Sequence, residues 1–468
     1  MKAGPGFQPI IIILCLLIPI PAFATHNDGR KPTGGTEAKS QSMTQEEMDD
    51  RQRRQKNIDL LDSIGQAPEK NRLEQKQQLP PMTLEAAEEL ALRNDPEILR
   101  IQAIQESLEQ KAQAAFSWPD PKLKIGALNV PDSTWDFDTD PMTQKVIGIV
   151  QEFPPYGAVA AKRDQIMALS NASLYQYENQ RLETLRSIRR HWLTVHKHYQ
   201  VRKLLRKSID IFVQLKKITQ LQYRAGRGKQ QDVLRAQLEE SLLLDRKVEV
   251  TAEYEKAIAQ LRKSLNISLF KRNLEMAFPL IKNPPSEAQI RRNLDHHPWF
   301  MVGETYVKAA KSGVQSANAQ FKPGWSLDLS YGQRNNELDD LVSAVVLFDL
   351  PIFRGSRQSR QLQSSQSALT AAKYSLDDRQ REINRRLEES LSAYARANER
   401  LKLYTKFLLP QAEQNTESSL SAYQSGVNTF SVLVRARLIE MDSRIQFIKL
   451  RVDKALAKIE LLYLAGVQ

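Results

Sequence analysis

Three histidines, His191, His196 and His198, fall within one short stretch, and a metal ion is what such a group could hold. Steps of five and two residues do not share a helix face, so on a helix these rings point apart and cannot converge on an ion. His296 and His297 stand directly before Pro298, where they shape a turn between helices. The run "DFDTD", residues 136–140, opens like a calcium loop but lacks the glycine at the sixth position and the glutamate at the twelfth, so it reads as a solvated acidic loop. No nucleophile beside a base, no catalytic carboxylate pair and no phosphate-cradling glycine run is present, so neither an enzyme nor a cofactor is expected.

The residues that remain of interest sit at a turn used twice. "YRAGRGKQQDVLRA" (223–236) returns as "YQSGVNTFSVLVRA" (423–436), with tyrosine, glycine and alanine at a constant offset of 200 residues. Gly226 and Gly228 permit backbone angles that other residues resist, and Ala236 lets neighbouring helices approach closely. The elements on either side share one plan. "TLEAAEELALRNDP" begins a pair of short helices broken at Pro96, and "SEAQIRRNLDHHP" begins another broken at Pro298. From each of these prolines the next landmark, Pro121 or Pro323, is 25 residues on. A hairpin of strands follows in each half. In "WSLDLSYGQ", Trp325, Leu327, Leu329 and Tyr331 share one apolar face and the polar residues share the other. Two helices of about 66 and 68 residues, 158–223 and 356–423, then lead to the repeated turn, each ~100 Å long if continuous. Shorter helices return over 230–265 and 430–464. The expected domains are residues 83–280 (strands within 122–153, tip at 223–230) and 281–468 (strands within 325–350, tip at 423–430).

The start of the chain reads as an export signal over residues 1–24: a basic beginning, an apolar run broken by Pro19 and Pro21, and Ala22-Phe23-Ala24 as the small-x-small cleavage pattern. Cys15, the single cysteine, follows Leu14 rather than a small residue, so its lipidation is not expected. Residues 25–82 form a flexible polar leader. The net charge of +12 suggests nucleic acid, but Lys and Arg alternate with Glu and Asp throughout, the pattern of solvated helix faces. No nucleic-acid partner is expected. Helices this long find apolar partners along their length, as in a coiled coil or tube. Four strands cannot close a barrel alone, since small barrels need about eight, so several copies must contribute.

Over nearly all of residues 83–468 the chain resembles the TolC family of outer-membrane efflux channels. The resemblance rests on "TLEAAEELALRNDP", "PDP" before the first hairpin, "FPPYGAVAAKRDQ", "LFDLPIFRGSR" and the paired Tyr-x-x-Gly tips. It implies a mainly α fold with a small β portion. Three chains would form a 12-stranded β-barrel in outer-membrane lipid, continuous with an α-barrel of long helical hairpins through the periplasm. It implies a homotrimer that works with a periplasmic adaptor (membrane fusion protein) and an inner-membrane pump of the RND type, for efflux or type I secretion. "WPDPKLKIGALNVP" resembles the heavy-metal branch. Tyr223, Gly226, Arg227, Tyr423 and Gly426 would form the adaptor-contacting tips, and Asn428 would join Asp232, Arg235, Val432 and Arg435 at the pore constriction. Acidic residues that ring the family's second tip are missing here: Val432 and Arg435 stand six and nine after Gly426. Asp232 and Arg235 stand at those places after Gly226, and pairing of Asp232 with a tip arginine such as Arg435 would hold the channel closed. The rival is a periplasmic coiled-coil adaptor without a pore, which needs one helical hairpin and no amphipathic strands; this chain carries two of each.

Overall fold

The computed structural model describes residues 81–265, 274–335 and 337–467; the expected signal and nearly all of the leader lie outside the described residues. α1 (Leu84–Asn94) begins where the Thr83 hydroxyl accepts the Ala86 amide. It ends because Pro96 disfavours helical backbone at Asp95. Asp95 then caps α2 (Pro96–Phe116) by accepting the Glu97 amide at 2.9 Å. Strands β1 (Lys122–Leu128) and β2 (Gln144–Phe153) follow, then α3 (Ala158–Arg224) and α4 (Gln230–Leu265). The second half repeats the order: α5 (Glu287–Asn293), a 3-10 turn at Leu294–His296, α6 (Pro298–Ala319), β3 (Trp325–Gln333), β4 (Leu341–Phe348), α7 (Gln358–Leu403), α8 (Leu409–Gln424) and α9 (Phe430–Leu464).

At 67 residues, or ~100 Å, α3 outreaches any single core. It packs against α1, α2 and α4 of its own half and against α6 and α9 of the other. The buried residues accordingly form separate clusters along the helices. One lies near the tips around Leu205, Phe212, Phe430 and Leu433. A second surrounds α1, with Ala87, Ala91, Ile188 and Trp192. A third joins Leu182, Ile290, Leu387 and Leu464.

The second long helix is not continuous as its sequence suggests. Pro410 has no amide to donate, and its ring crowds the carbonyl four residues back, so the chain widens into a π turn at Tyr404–Leu408 before α8 resumes. The Leu409 amide bonds to the Tyr404 carbonyl, five residues back. Phe407 and Leu403 are left exposed beside this turn.

His297 serves the turn assigned to it. Its Nδ1 accepts the Trp299 amide at 3.2 Å as the cap of α6, and its Nε2 donates to the Tyr463 carbonyl at 2.9 Å. The first bond needs the neutral ring, since a protonated Nδ1 has no lone pair to offer. Burial holds its pKa down at about 4, against the favourable Tyr463 carbonyl, and Arg186 and Arg386 add to the depression. A histidine whose folded pKa is lowered contributes stability that is complete above its unfolded value, about 6.5, and lost as pH falls toward the folded one. At pH 5 this group alone withdraws about 2 kcal/mol. Asn keeps a capping oxygen without titrating, so His297→Asn flattens the decline in melting temperature between pH 7.5 and pH 5; parallel declines in both proteins would refute the assignment.

Candidate functional site: the paired helical tips and the open sheet

Helices α3 and α8 end with the same backbone. Gly226 and Gly426 take φ of 73° and 79°, the left-handed conformation in which a Cβ is strained. Amides beyond each glycine turn back to the last helical carbonyls: Arg227 and Gly228 donate to the Gln222 carbonyl at 2.9 and 3.1 Å, Val427 and Asn428 to the Ala422 carbonyl at 2.9 and 3.0 Å. Orphan carbonyls at both helix ends are thereby satisfied. Gly228 needs no special angle, because its φ is not positive and Asn428 holds the same place in the other tip. Ala236 is fully buried; Ala436 brings its carbonyl within 3.1 Å of the Thr416 hydroxyl on α8.

Side chains make the two tips unequal. Phe430, at the start of α9, is buried against the Tyr423 ring with centroids 5.7 Å apart, whereas its counterpart Gln230 is exposed. Tyr423 donates its hydroxyl to Gln222 Oε1 at 2.5 Å, which fastens the second tip to the first, while Tyr223 stays exposed. Burial, with the Asp232 carboxylate as a second cause, holds the Tyr423 phenol above its ordinary pKa. Arg235 reaches Ser431 Oγ at 2.9 Å, and further along the same helices Arg246 pairs with Asp442 at 2.8 Å. Among the described residues Asp232 and Arg435 do not pair within one protomer. Asp232 and Asn428 are half-buried, Arg227 and Arg435 are exposed, and Val432 is 43 % exposed. Gln222, Ser431 and Phe430 escaped the reading by glycine spacing, although the change from Gln230 to Phe430 between the copies was visible.

At the other end of α3 the four strands form one antiparallel sheet in the order β1-β2-β3-β4. The register aligns Ile125, Ile147, Tyr331 and Val342 in one row and Leu123, Ile149, Leu329 and Ala344 in the next. Leu327 and Trp325 continue the face beside Val346 and Phe348. Ile125, Ile149 and Leu329 on this face are 73 %, 56 % and 50 % exposed, so none of the described residues covers it. The opposite face carries an ion pair between Lys124 and the buried Asp328 at 2.7 Å, and one between Lys122 and Glu152. Gly148 lies opposite Lys124 and Ser330 in the register; a Cβ there would stand 2.7 Å from the Leu329 carbonyl oxygen and from Ser330 Cβ. β4 departs from the expected alternation, since Leu341, Val345 and Leu347 make its second face apolar as well. Among the described residues no helix is long and apolar enough to cross a membrane.

The histidines that raised the metal question have separate partners: His191 Nδ1 meets Ser264 Oγ at 2.8 Å, and His196 packs edge-on to Phe278.

A sheet apolar on its exposed face, joined to duplicated helical hairpins that close on paired glycine turns, defines the class of channel proteins in which strands meet lipid and helices extend away from it. The chain belongs to the outer membrane efflux protein family, whose model matches residues 88–266 and 290–467. It is an outer-membrane efflux channel, and membership implies trimeric assembly with an adaptor and an inner-membrane pump. Its fold is similar to that of VceC from Vibrio cholerae (16 % identity, 82 % of this chain and 96 % of that one, TM-score 0.69). It is likewise similar to the Campylobacter jejuni outer membrane channel CmeC (14 % identity, 82 % and 85 %, TM-score 0.70). CusC, described as forming a transmembrane channel, shares the fold at 13 % identity, 82 % and 92 % coverage and a TM-score of 0.71. No curated protein sequence matches.

Tyr423→Phe removes the hydroxyl that holds Gln222 and weakens the tip packing by about 1 kcal/mol. Hydrogen exchange at the Arg227 and Val427 amides rises in that variant and is unchanged in Tyr223→Phe. Equal protection in all three proteins would mean that the contact contributes nothing.

Proposed function

We propose that three copies of this chain close a 12-stranded barrel in the outer membrane, with α3, α4, α7, α8 and α9 of each copy building a periplasmic helical tunnel. An RND-type pump would deliver substrate to the tunnel through a membrane fusion protein. The observation that carries this reading is the sheet: β1 and β4 leave open edges, and one face is apolar and uncovered. Open edges cannot remain in hydrocarbon, because each unpaired backbone group there costs several kcal/mol. A neighbour's β4 against β1 removes both edges at once. Residues 83–280 and 281–468 then serve as two equivalent repeats, and 1–24 directs export.

The tips form the closed end. Tyr223, Gly226, Arg227, Tyr423 and Gly426 would meet the adaptor, and Leu234, Leu238 and Leu242, exposed at intervals of four on α4, supply apolar surface for a neighbouring helix. Since Asp232 and Arg435 do not meet within a protomer, their pairing falls between neighbours and is repeated three times. An exposed pair is worth under ~1 kcal/mol, so only the repetition makes it a latch. Val432 in place of an acid leaves the constriction less favourable to cations than an acidic ring.

In planar lipid bilayers the purified full-length protein opens ion-conducting channels, and Asp232→Asn or Arg435→Ala raises the single-channel conductance. A protein that stays monomeric and passes no current contradicts the channel. Normal channels with unchanged conductance in both variants contradict only the latch.

A further inference from the structure

Where the strands end and the long helices begin, an open cleft of about 690 Å³ is lined by Phe116, Trp118, Phe153, Tyr156, Pro323 and Trp325. Phe153 and Trp325 stack at 4.1 Å, and Trp118 meets the Phe153 edge at 5.1 Å. The register places Phe153 and Trp325 on the same face as Leu329 and Ile149, so the cleft continues the face that meets lipid. Trp118 and Tyr156 are 63 % and 83 % exposed. Rings with one apolar and one polar end concentrate at the boundary between hydrocarbon and water.

Charge at this boundary is arranged unevenly. The Lys322 ammonium sits 4.9 Å from the Tyr156 ring centroid and forms no ion pair among the described residues. Arg163, 4.6 Å over Phe116, shares its charge with Asp164 at 2.8 Å, and Glu152 is already taken by Lys122. The cleft therefore offers an apolar wall for acyl chains, with the Lys322 cation beside Tyr156 at its rim. Its strands are β2 and β3, the two inner members of the sheet, so a neighbour that completes the barrel at β1 and β4 does not pair across it.

We propose that this cleft binds one glycerophospholipid of the inner leaflet per protomer. Its acyl chains would lie along Phe153 and Trp325, and its phosphate would accept from Lys322 beside Tyr156. The proposal rests on the sheet lying in the membrane.

The test is native mass spectrometry of the full-length detergent-extracted protein titrated with phosphatidylglycerol or phosphatidylcholine. In parallel, tryptophan quenching is read in phosphatidylcholine vesicles with and without chain-brominated phosphatidylglycerol. Expected are up to three retained phosphatidylglycerols per trimer, retention about fivefold weaker for Lys322→Gln, and recovery in Lys322→Arg. Trp118→Ala loses retention of both lipids while the barrel still inserts. Equal retention by Lys322→Gln and the unaltered protein overturns the site. Displacement by glycerol phosphate without acyl chains overturns it too, as that marks a soluble phosphate site. Absence of quenching in every vesicle overturns the membrane placement as well, which separates that failure from failure of the site alone.

Discussion

Backbone amides and carbonyls cannot face hydrocarbon unpaired, and this rule governs the molecule. The chain supplies four strands with an apolar outer face and leaves both edges of the sheet open. In water such a face invites aggregation, and in lipid the edges are forbidden. The way out is closure by identical copies. Symmetry then fixes the rest, because each protomer must bring equivalent helices from the barrel rim, and these can be long because every one is flanked along its length. The separate core clusters spaced along α3 follow from that geometry.

Internal duplication supplies two nearly equal halves that nevertheless differ in detail. The backbone is where they agree: both tips use a left-handed glycine and the same return of amides to a carbonyl. Side chains are where they part. Phe430 anchors the second tip in the core while Gln230 leaves the first at the surface, and Tyr423 reaches across to Gln222 with no counterpart from Tyr223. The π turn ahead of Pro410 is a further asymmetry, since α3 runs unbroken through the equivalent stretch.

Much of this was legible because it depends on local rules. Helix limits follow from proline at the starts of α2 and α6 and from glycine at the ends of α3 and α8, which act within a few residues of the chain. The apolar face of β3 follows from alternation. What escaped depends on residues distant in sequence. Pro410 was read without its consequence, since whether a helix breaks or widens there depends on the helices packed alongside. β4 looked like a simple partner for β3, yet both its faces are apolar. The Arg235–Ser431 and Tyr423–Gln222 contacts join positions about 200 apart, and no spacing rule reports them. The pairing imagined for Asp232 and Arg435 has no place inside one protomer, because a single sequence does not say which contacts lie within a copy and which lie between copies.

The direct test of closure is covalent. Ile125 on β1 and Val342 on β4 stand at opposite edges of the sheet, three strand spacings apart, ~14 Å, too far for a disulfide within one protomer. Proteins carrying Ile125→Cys together with Val342→Cys, Ala344→Cys or Val346→Cys are oxidised in outer-membrane fractions and run on non-reducing denaturing gels. Closure by copies yields disulfide-linked trimers in at least one register, whereas monomers alone in every register would contradict it.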